Sequence, residues 1–362
     1  MNFSGLPTEL LHLIAFKFSF LTPTDILSLA LTSEHLYNEF LHPEDVITHR
    51  YINSLLSIPA LLENIEDPEF QHALRIKLER EGISDAMKIL WKVVERGCTG
   101  EFIEFVLKLP GIDVGVVDRC GVAPLHSASM NGHVEVVTAL LAIPGIDVNA
   151  PDCDGMTSLH NASWKGRTKV VTALLAHPDI DVNVVDNSEE TPLRNASWWG
   201  HEDIVTSLLD HPNINVNAAG EYGRSPLHLA CENGYEGIAR TLLTFVGVDV
   251  NAVCDCGTPL HCASENGHSG VVAALLSYPD TNVNVTDNWG RTPLRLASMY
   301  GHTDVVAALL ARPEIDVNAA CEYGWTPFLL ASNYGYIEII DALLSHPSIN
   351  VSEGVLGDIL AL

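Results

Sequence analysis

Thr191-Pro-Leu-Arg-Asn-Ala-Ser-Trp-Trp-Gly-His201 is the stretch that decides the architecture of this 362-residue chain. Thr191 suits the N-cap of a helix and Pro192 its first position, where a missing N–H costs nothing. Gly200 stops that helix after about two turns. A second helix starts near Glu202, carries Val205, Leu208 and Leu209 on one stripe, and is closed by Pro212. The stretch recurs in variants at Ala123 to His133, Thr157 to Arg167, Ser225 to Tyr235, Thr258 to His268, Thr292 to His302 and Thr326 to Tyr336. Each copy leads to a double Leu and then to a Val-Asn or Val-Ser pair, at Val148, Val182, Val216, Val250, Val283, Val317 and Val351, in steps of 34, 34, 34, 33, 34 and 34. A unit this short cannot bury its own apolar stripe, so neighbouring units must stack into one continuous core.

These residues resemble the ankyrin repeat. That pattern opens its first helix with Thr-Pro-Leu-His, turns at Gly-His, runs Val-x-x-Leu-Leu along its second helix and ends in Val-Asn before a β-turn finger. The Pro that follows most second helices, as in His177-Pro178, accounts for a period of mostly 34. The expected fold is all-α: a solenoid of seven repeats over residues 118–352, with β-turn fingers. A degenerate capping repeat is expected at 84–117, with helices near Ala86 to Glu95 and Glu101 to Leu107. A short tail, 353–362, is expected to cover the last repeat. The resemblance implies binding of a partner protein through the fingers and first helices.

Residues 1–45 carry a different text. Pro7 and Pro23 each sit just inside a helix start, and Thr32-Ser33 mark a third, so three short helices are expected. Their apolar residues exceed what three such helices can bury among themselves, which points to a partner site. Leu6-Pro7-Thr8-Glu9-Leu10-Leu11, Ile14, Asp25-Ile26-Leu27-Ser28-Leu29-Ala30 and Ser33-x-x-Leu36-Tyr37 are similar to an F-box. That resemblance implies docking on the Skp-type adaptor of a cullin ubiquitin ligase through Leu6, Pro7, Leu10, Leu11, Ile14, Leu27, Leu29 and Leu36. The text departs from the family at the aromatic Phe16-Lys17-Phe18-Ser19-Phe20 and at Thr32, a position often held by Cys. The alternative is a helical cap packed on the solenoid. Residues 46–83 read as a helical linker.

Charge narrows the partners. The chain carries 19 Lys and Arg against 46 Asp and Glu, a net of −27, with −7 in residues 1–83 and −20 in the remainder. Such a chain is repelled by phosphate and has no basic cluster for nucleic acid or an anionic membrane. Its apolar stretches fall short of the roughly 18 residues that span a bilayer. Lys17 follows an apolar stretch rather than preceding one, which argues against a secretory signal. A cytoplasmic or nuclear protein, monomeric outside its complex, is expected. Recurrent acids in the loops, among them Asp147, Asp152, Asp154, Asp181, Asp186, Asp249, Asp287 and Asp316, favour a target with a basic surface.

Catalysis has no carrier in the sequence: the nucleophile elbow, the phosphate loop and the H-E-x-x-H motif are all missing. Most of the sixteen histidines are locked to the repeat. His126, His160, His228 and His261 occupy the Thr-Pro-Leu-His slot and are expected to form a hydrogen-bond ladder. His133, His201, His268 and His302 follow the turn Gly. His177, His211 and His346 are expected to complement helix C-terminal dipoles. The eight cysteines read as free thiols. Cys254-Asp255-Cys256 with His261 and Cys262 is the one tight thiol cluster, but zinc favours four ligands from paired C-x-x-C, so no metal and no cofactor are expected.

The tryptophans depart from the repeat's needs. Counting from Leu193, the core stripe takes Ala196 and Ser197, so Trp198 and Trp199 must face solvent. Trp164, Tyr300 and Tyr334 share those slots, and Tyr222, Trp289, Tyr323 and Trp325 sit on loop tips. These nine aromatics are the expected target-binding set, since Trp and Tyr anchor interfaces. Packing between adjacent fingers is the alternative.

Overall fold

The structure, a computed structural model, describes residues 86–321 and 323–351 together with positions 65, 68, 71, 72, 74, 75 and 78. The module expected at 1–45, its eight adaptor-facing residues, most of the linker and the tail at 353–362 lie outside the described residues. What is described falls into two compact units, one holding positions up to 118 and residues 123–146, the other residues 119–122 and 147 onward. Among the described residues no strand forms, and no helix is long and apolar enough to cross a membrane.

In the first unit, α1 (Ala86–Arg96) packs on α3 (Pro124–Asn131), and α2 (Gly100–Leu107) on α4 (Val134–Leu141). Ile89, Leu90, Val93 and Val94 fill the α1 face. Thr99 caps α2, its hydroxyl accepting the Phe102 N–H at 3.4 Å while donating to Gln71 Oε1 at 2.6 Å. Gln71 is itself buried, with Ile65, Leu74 and Leu78, and Arg75 lies over the Phe105 ring at 5.1 Å. The segment before α1 thus covers α2.

The second unit repeats one motif: α5 (Ser158–Trp164) with α6 (Thr168–Leu175), α7 (Pro192–Trp199) with α8 (Glu202–Leu209), and α9 (Pro226–Asn233) with α10 (Glu236–Leu243). It continues with α11 (Pro259–Glu265) and α12 (Ser269–Ser277), α13 (Pro293–Tyr300) and α14 (Thr303–Leu310), and α15 (Pro327–Tyr334) and α16 (Ile337–Leu344). First helices pack on first helices and second on second along the row. In α7 the Thr191 hydroxyl accepts the Arg194 N–H at 3.3 Å, and Gly200 closes the helix in the left-handed region at φ +79°. Ala196 and Ser197 are fully buried, small enough for neighbouring first helices to approach closely. In α8, Ile204, Val205 and Leu208 form the buried stripe, and the helix ends at Leu209, ahead of Pro212.

Two side-chain ladders hold the repeats in register. His160 accepts the Thr157 N–H on Nδ1 at 3.1 Å, so its proton is on Nε2, which donates to the Glu190 carbonyl of the next finger at 2.9 Å. His228 and His261 do the same toward Gly257 and Arg291, at 3.1 and 2.9 Å. The second ladder is made by the Asn of Val-Asn, which bridges to the following loop from Asn149, Asn183, Asn217, Asn251, Asn284 and Asn318. The histidines at the ends of second helices make a local bond. Nδ1 of His177, His211 and His346 accepts the N–H of Asp179, Asn213 and Ser348, at 3.3, 3.4 and 3.3 Å. Each ring thereby ties the end of its second helix to the turn that follows.

Candidate protein-interaction site

In the two positions before the turn glycine, away from the buried Leu193, Ala196 and Ser197, four of the five aromatics are exposed. Trp198 is 39% and Trp199 51% accessible, with Tyr300 and Tyr334 comparable. Trp164 is half-buried because it pairs across consecutive repeats with Trp199, ring centroids 6.4 Å apart and planes tilted by 53°. Lys165 Nζ stands 3.6 Å from the Trp164 ring centre, so these two Trp and one Lys form a cluster. Tyr300 and Tyr334 instead stack within their own repeats, on His302 and Tyr336.

The fingers present the rest of the set. Tyr222 sits at φ +66° on a turn tip, a conformation a bulky side chain seldom adopts, and points into solvent. Trp289 is exposed beneath the Arg291 guanidinium, 4.6 Å from its ring centre; Tyr323 is 87% accessible, and Trp325 is exposed too. All nine expected residues therefore lie at the surface or, for Trp164, half at it. The structure joins Trp164 to Trp199, while the finger aromatics stand on three separate loops. Sequence reasoning missed Lys165 and Arg291 as partners of the rings. It also missed Val246, 93% accessible, which takes the slot that Pro178, Pro212 and Pro279 fill in sibling repeats. Comparing repeats slot by slot would have exposed it.

The loop acids have structural work first. Asp147, Asp181, Asp249 and Asp316 each accept, on Oδ1, the N–H two residues on, at 2.9 to 3.0 Å. Asn215 and Asn282 in the same slot make the same bond, at 3.2 and 3.0 Å. The turn therefore needs an oxygen there and not a charge, so the charge on the Asp residues is surplus to folding. Asp152, Asp186 and Asp287 each gather two N–H groups of their own finger, and Asp287 is buried and paired with Arg291 Nε at 2.6 Å.

Two repeats place a cation where four others have His and the last has Leu329. Arg194, 2% accessible, donates from Nη1 to the Glu189 carbonyl at 3.0 Å and to Glu190 Oε1 at 2.9 Å. Burial pushes its pKa down and Glu190 raises it in part, while burial pushes that of Glu190 up against the pull of Arg194. Arg295 makes the corresponding bond to the Gly290 carbonyl at 2.9 Å.

No disulfide links the eight cysteines, but three thiols converge. Cys256 Sγ lies 2.9 Å from Cys254 Sγ and 3.4 Å from Cys262 Sγ. Thiol hydrogen bonds from both neighbours hold Cys256 well below the ordinary thiol pKa and hold Cys254 and Cys262 above it. His261, the fourth member of the cluster read from the sequence, does not join, because both its ring nitrogens serve the ladder.

Comparison with known proteins agrees with this architecture. No curated protein matches the chain. The crystal structure of the human ASB11 ankyrin repeat domain is similar at a TM-score of 0.55 and 26% identity, over 64% of this chain and 100% of that one. The family model for ankyrin repeats, three copies long, matches residues 90–186, 178–254, 196–287, 244–321 and 260–353. With that text running through most of its length and the stacked helix pairs behind it, the chain belongs to the ankyrin-repeat family.

Proposed function

We propose that this protein is the target-recognition subunit of a cullin-type ubiquitin ligase. Residues 1–45 dock the Skp-type adaptor, and the ankyrin stack, a protein-interaction scaffold, holds a target protein on its exposed aromatics. The observation that carries this reading is the Leu6 to Tyr37 text, placed ahead of a binding array. Catalysis belongs to the rest of the ligase; this chain supplies effective concentration and orientation. It works in the cytoplasm or nucleus, as a monomer outside the complex, and its target has a basic surface. Co-precipitation with the Skp-type adaptor tests the idea: wild type captures it, and a Leu6→Ala/Pro7→Ala variant loses it. No capture by either sinks the proposal.

A second reading is a scaffold or sequestering protein that uses the stack alone, with the N-terminal segment as its cap. The tie from Thr99 to the buried Gln71 gives it a foothold: chain upstream of α1, at 65–78, packs on the first unit, and residues 1–45 would extend that cover. Deletion of residues 1–45 separates the two readings. Loss of a cap lowers the melting temperature of the stack sharply, whereas loss of an adaptor module leaves the melt in place.

A further inference from the structure

Three departures from the repeat coincide in one repeat. Its finger is one residue shorter than its siblings, Asn251 to Thr258 against Asn183 to Thr191 or Asn284 to Thr292. Cys254 stands where Asp152, Asp186 and Asp287 organise their fingers, and Cys262 stands where siblings have Ser127, Asn161 or Leu229. The shortened finger closes on itself through paired bonds between Cys254 and Gly257, N–H to carbonyl at 2.9 and 3.0 Å. That closure places Cys256 over both other sulfurs. The sibling fingers close without sulfur, through a turn one residue longer; here the three changes together put three thiols within 4.8 Å of one another.

We propose that Cys254, Cys256 and Cys262 form a three-thiolate site for one soft cation, Cu(I). The donor set selects the ion. Among the described residues no fourth His, Cys, Asp or Glu joins the group. The nearby rings are committed, His228 between the Ser225 N–H and the Gly257 carbonyl, and His261 between the Thr258 N–H and the Arg291 carbonyl. Structural zinc takes four ligands in a tetrahedron, whereas three thiolates alone suit a soft monovalent ion. At a metal–sulfur distance of about 2.3 Å the sulfurs stand roughly 3.7 to 4.0 Å apart, within reach of side-chain rotation from the present spacing. Each thiol gives its proton to solvent on binding, leaving a complex of net charge −2 with the Arg224 guanidinium in electrostatic reach of all three sulfurs. Cys254 and Cys262 are buried and Cys256 is partly accessible, so the ion enters over Cys256.

The test uses the full chain, reduced and kept free of oxygen, titrated with Cu(I) held by a bicinchoninate competitor. Wild type should capture one equivalent with a copper-edge absorption spectrum fitted by three sulfurs. Cys256→Ser should bind at least about 100-fold more weakly, more than an outer-shell change costs. Cys321→Ser, a finger thiol outside the cluster, should bind as wild type. Cys254→Asp restores the sibling residue and provides a second ligand-deficient variant should Cys256→Ser not fold. Wild-type capture by either cluster variant, an oxygen or nitrogen ligand in the spectrum, tighter binding of Zn(II) than of Cu(I), or disulfide formation without capture would each overturn the site. None of these readings depends on the adaptor proposal.

Discussion

Asn183 accepts the Asn215 N–H on its Oδ1 at 2.8 Å while its Nδ2 donates to the Asn213 carbonyl at 2.7 Å. One side chain thereby replaces the strand pairing that would otherwise join two loops. The bridge recurs to the last described turn, where Asn318 holds Ser348 and Asn350 at 2.7 and 2.9 Å.

Asn183→Ala should destabilise the stack by about 1 to 3 kcal/mol, since two backbone groups lose their partner at once. Asn183→Asp keeps the acceptor and loses the donor, so it should fall between alanine and wild type. Urea denaturation orders the three; equal midpoints would show that water replaces the bridge at no cost.

Gly166 is one of several turn glycines pressed against the ring of the following turn. A Cβ built there would lie 2.7 Å from the His201 ring, and the backbone is at φ +70°. Gly166→Ala should therefore cost about 1 to 3 kcal/mol through backbone strain and contact together. Adding His201→Ala should recover only the contact share, leaving the strain. A double-mutant cycle in urea reads the two parts; strict additivity would exclude the contact.

Some of this was legible in the sequence and some was not, for physical reasons. The Thr191 cap, Pro192 and the Gly200 stop act within one turn, so local text reports them. The Val-Asn pair was visible as a marker, but the partners of Asn183 lie thirty and thirty-two residues ahead, where no local rule reaches. Trp199 was placed in solvent correctly from helix counting, while its contact with Trp164 depends on how consecutive repeats stack. The three cysteines are close in sequence, yet their convergence follows from how the shortened finger closes, a matter of backbone hydrogen bonds. The burial of Arg194 beside Glu190 depends on how the loop above it folds, which the text around Arg194 does not report.

The His ladder makes stability depend on pH. Burial lowers the pKa of His160, His228 and His261 below the ordinary 6.5, against the partial support of the carbonyl each ring meets. As pH falls through 6.5 the unfolded chain takes up protons that the folded chain refuses, so stability rises with pH across that window and is lost below it. Protonating Nδ1 of His160 also removes the acceptor of the Thr157 N–H. The melting temperature should fall between pH 7.5 and 5.5, and Gln at all three positions, which keeps one donor and one acceptor, should flatten the slope. An unchanged slope would assign the effect to other groups.

Arg194 and Gly220 form a coupled pair. A Cβ on Gly220 would collide with Arg194 Nη1, although its backbone, at φ −105°, would accept any residue. Gly220→Ala should therefore be destabilising in the wild type and less so in an Arg194→His background, where the contact of that Cβ with the Glu189 carbonyl, at 2.7 Å, still remains. Arg194→Ala removes the partner of the half-buried Glu190 and should cost about 1 to 3 kcal/mol. Melting curves of the four combinations measure the coupling, and a Gly220→Ala cost independent of residue 194 would remove it.

The aromatic surface separates binding from folding. Trp198 and Trp199 are exposed, so Trp198→Ala/Trp199→Ala should change stability by no more than about 0.5 kcal/mol per site, with a further small loss from the Trp164 contact. Target capture, read by proximity labelling against wild type, should fall at least about 30-fold if these are anchors worth roughly 2 kcal/mol or more each. The surplus charge on Asp147, Asp181, Asp249 and Asp316 acts on the rate instead. Asn at these four positions keeps every turn bond, as Asn215 and Asn282 already do, and removes four charges. Association with a basic target should then slow and lose part of its salt dependence, because exposed charges steer only within a screening length of about 8 to 10 Å. If the Asn variant associates as fast as wild type at low salt, those carboxylates serve the turns alone and the basic surface inferred for the target has no support.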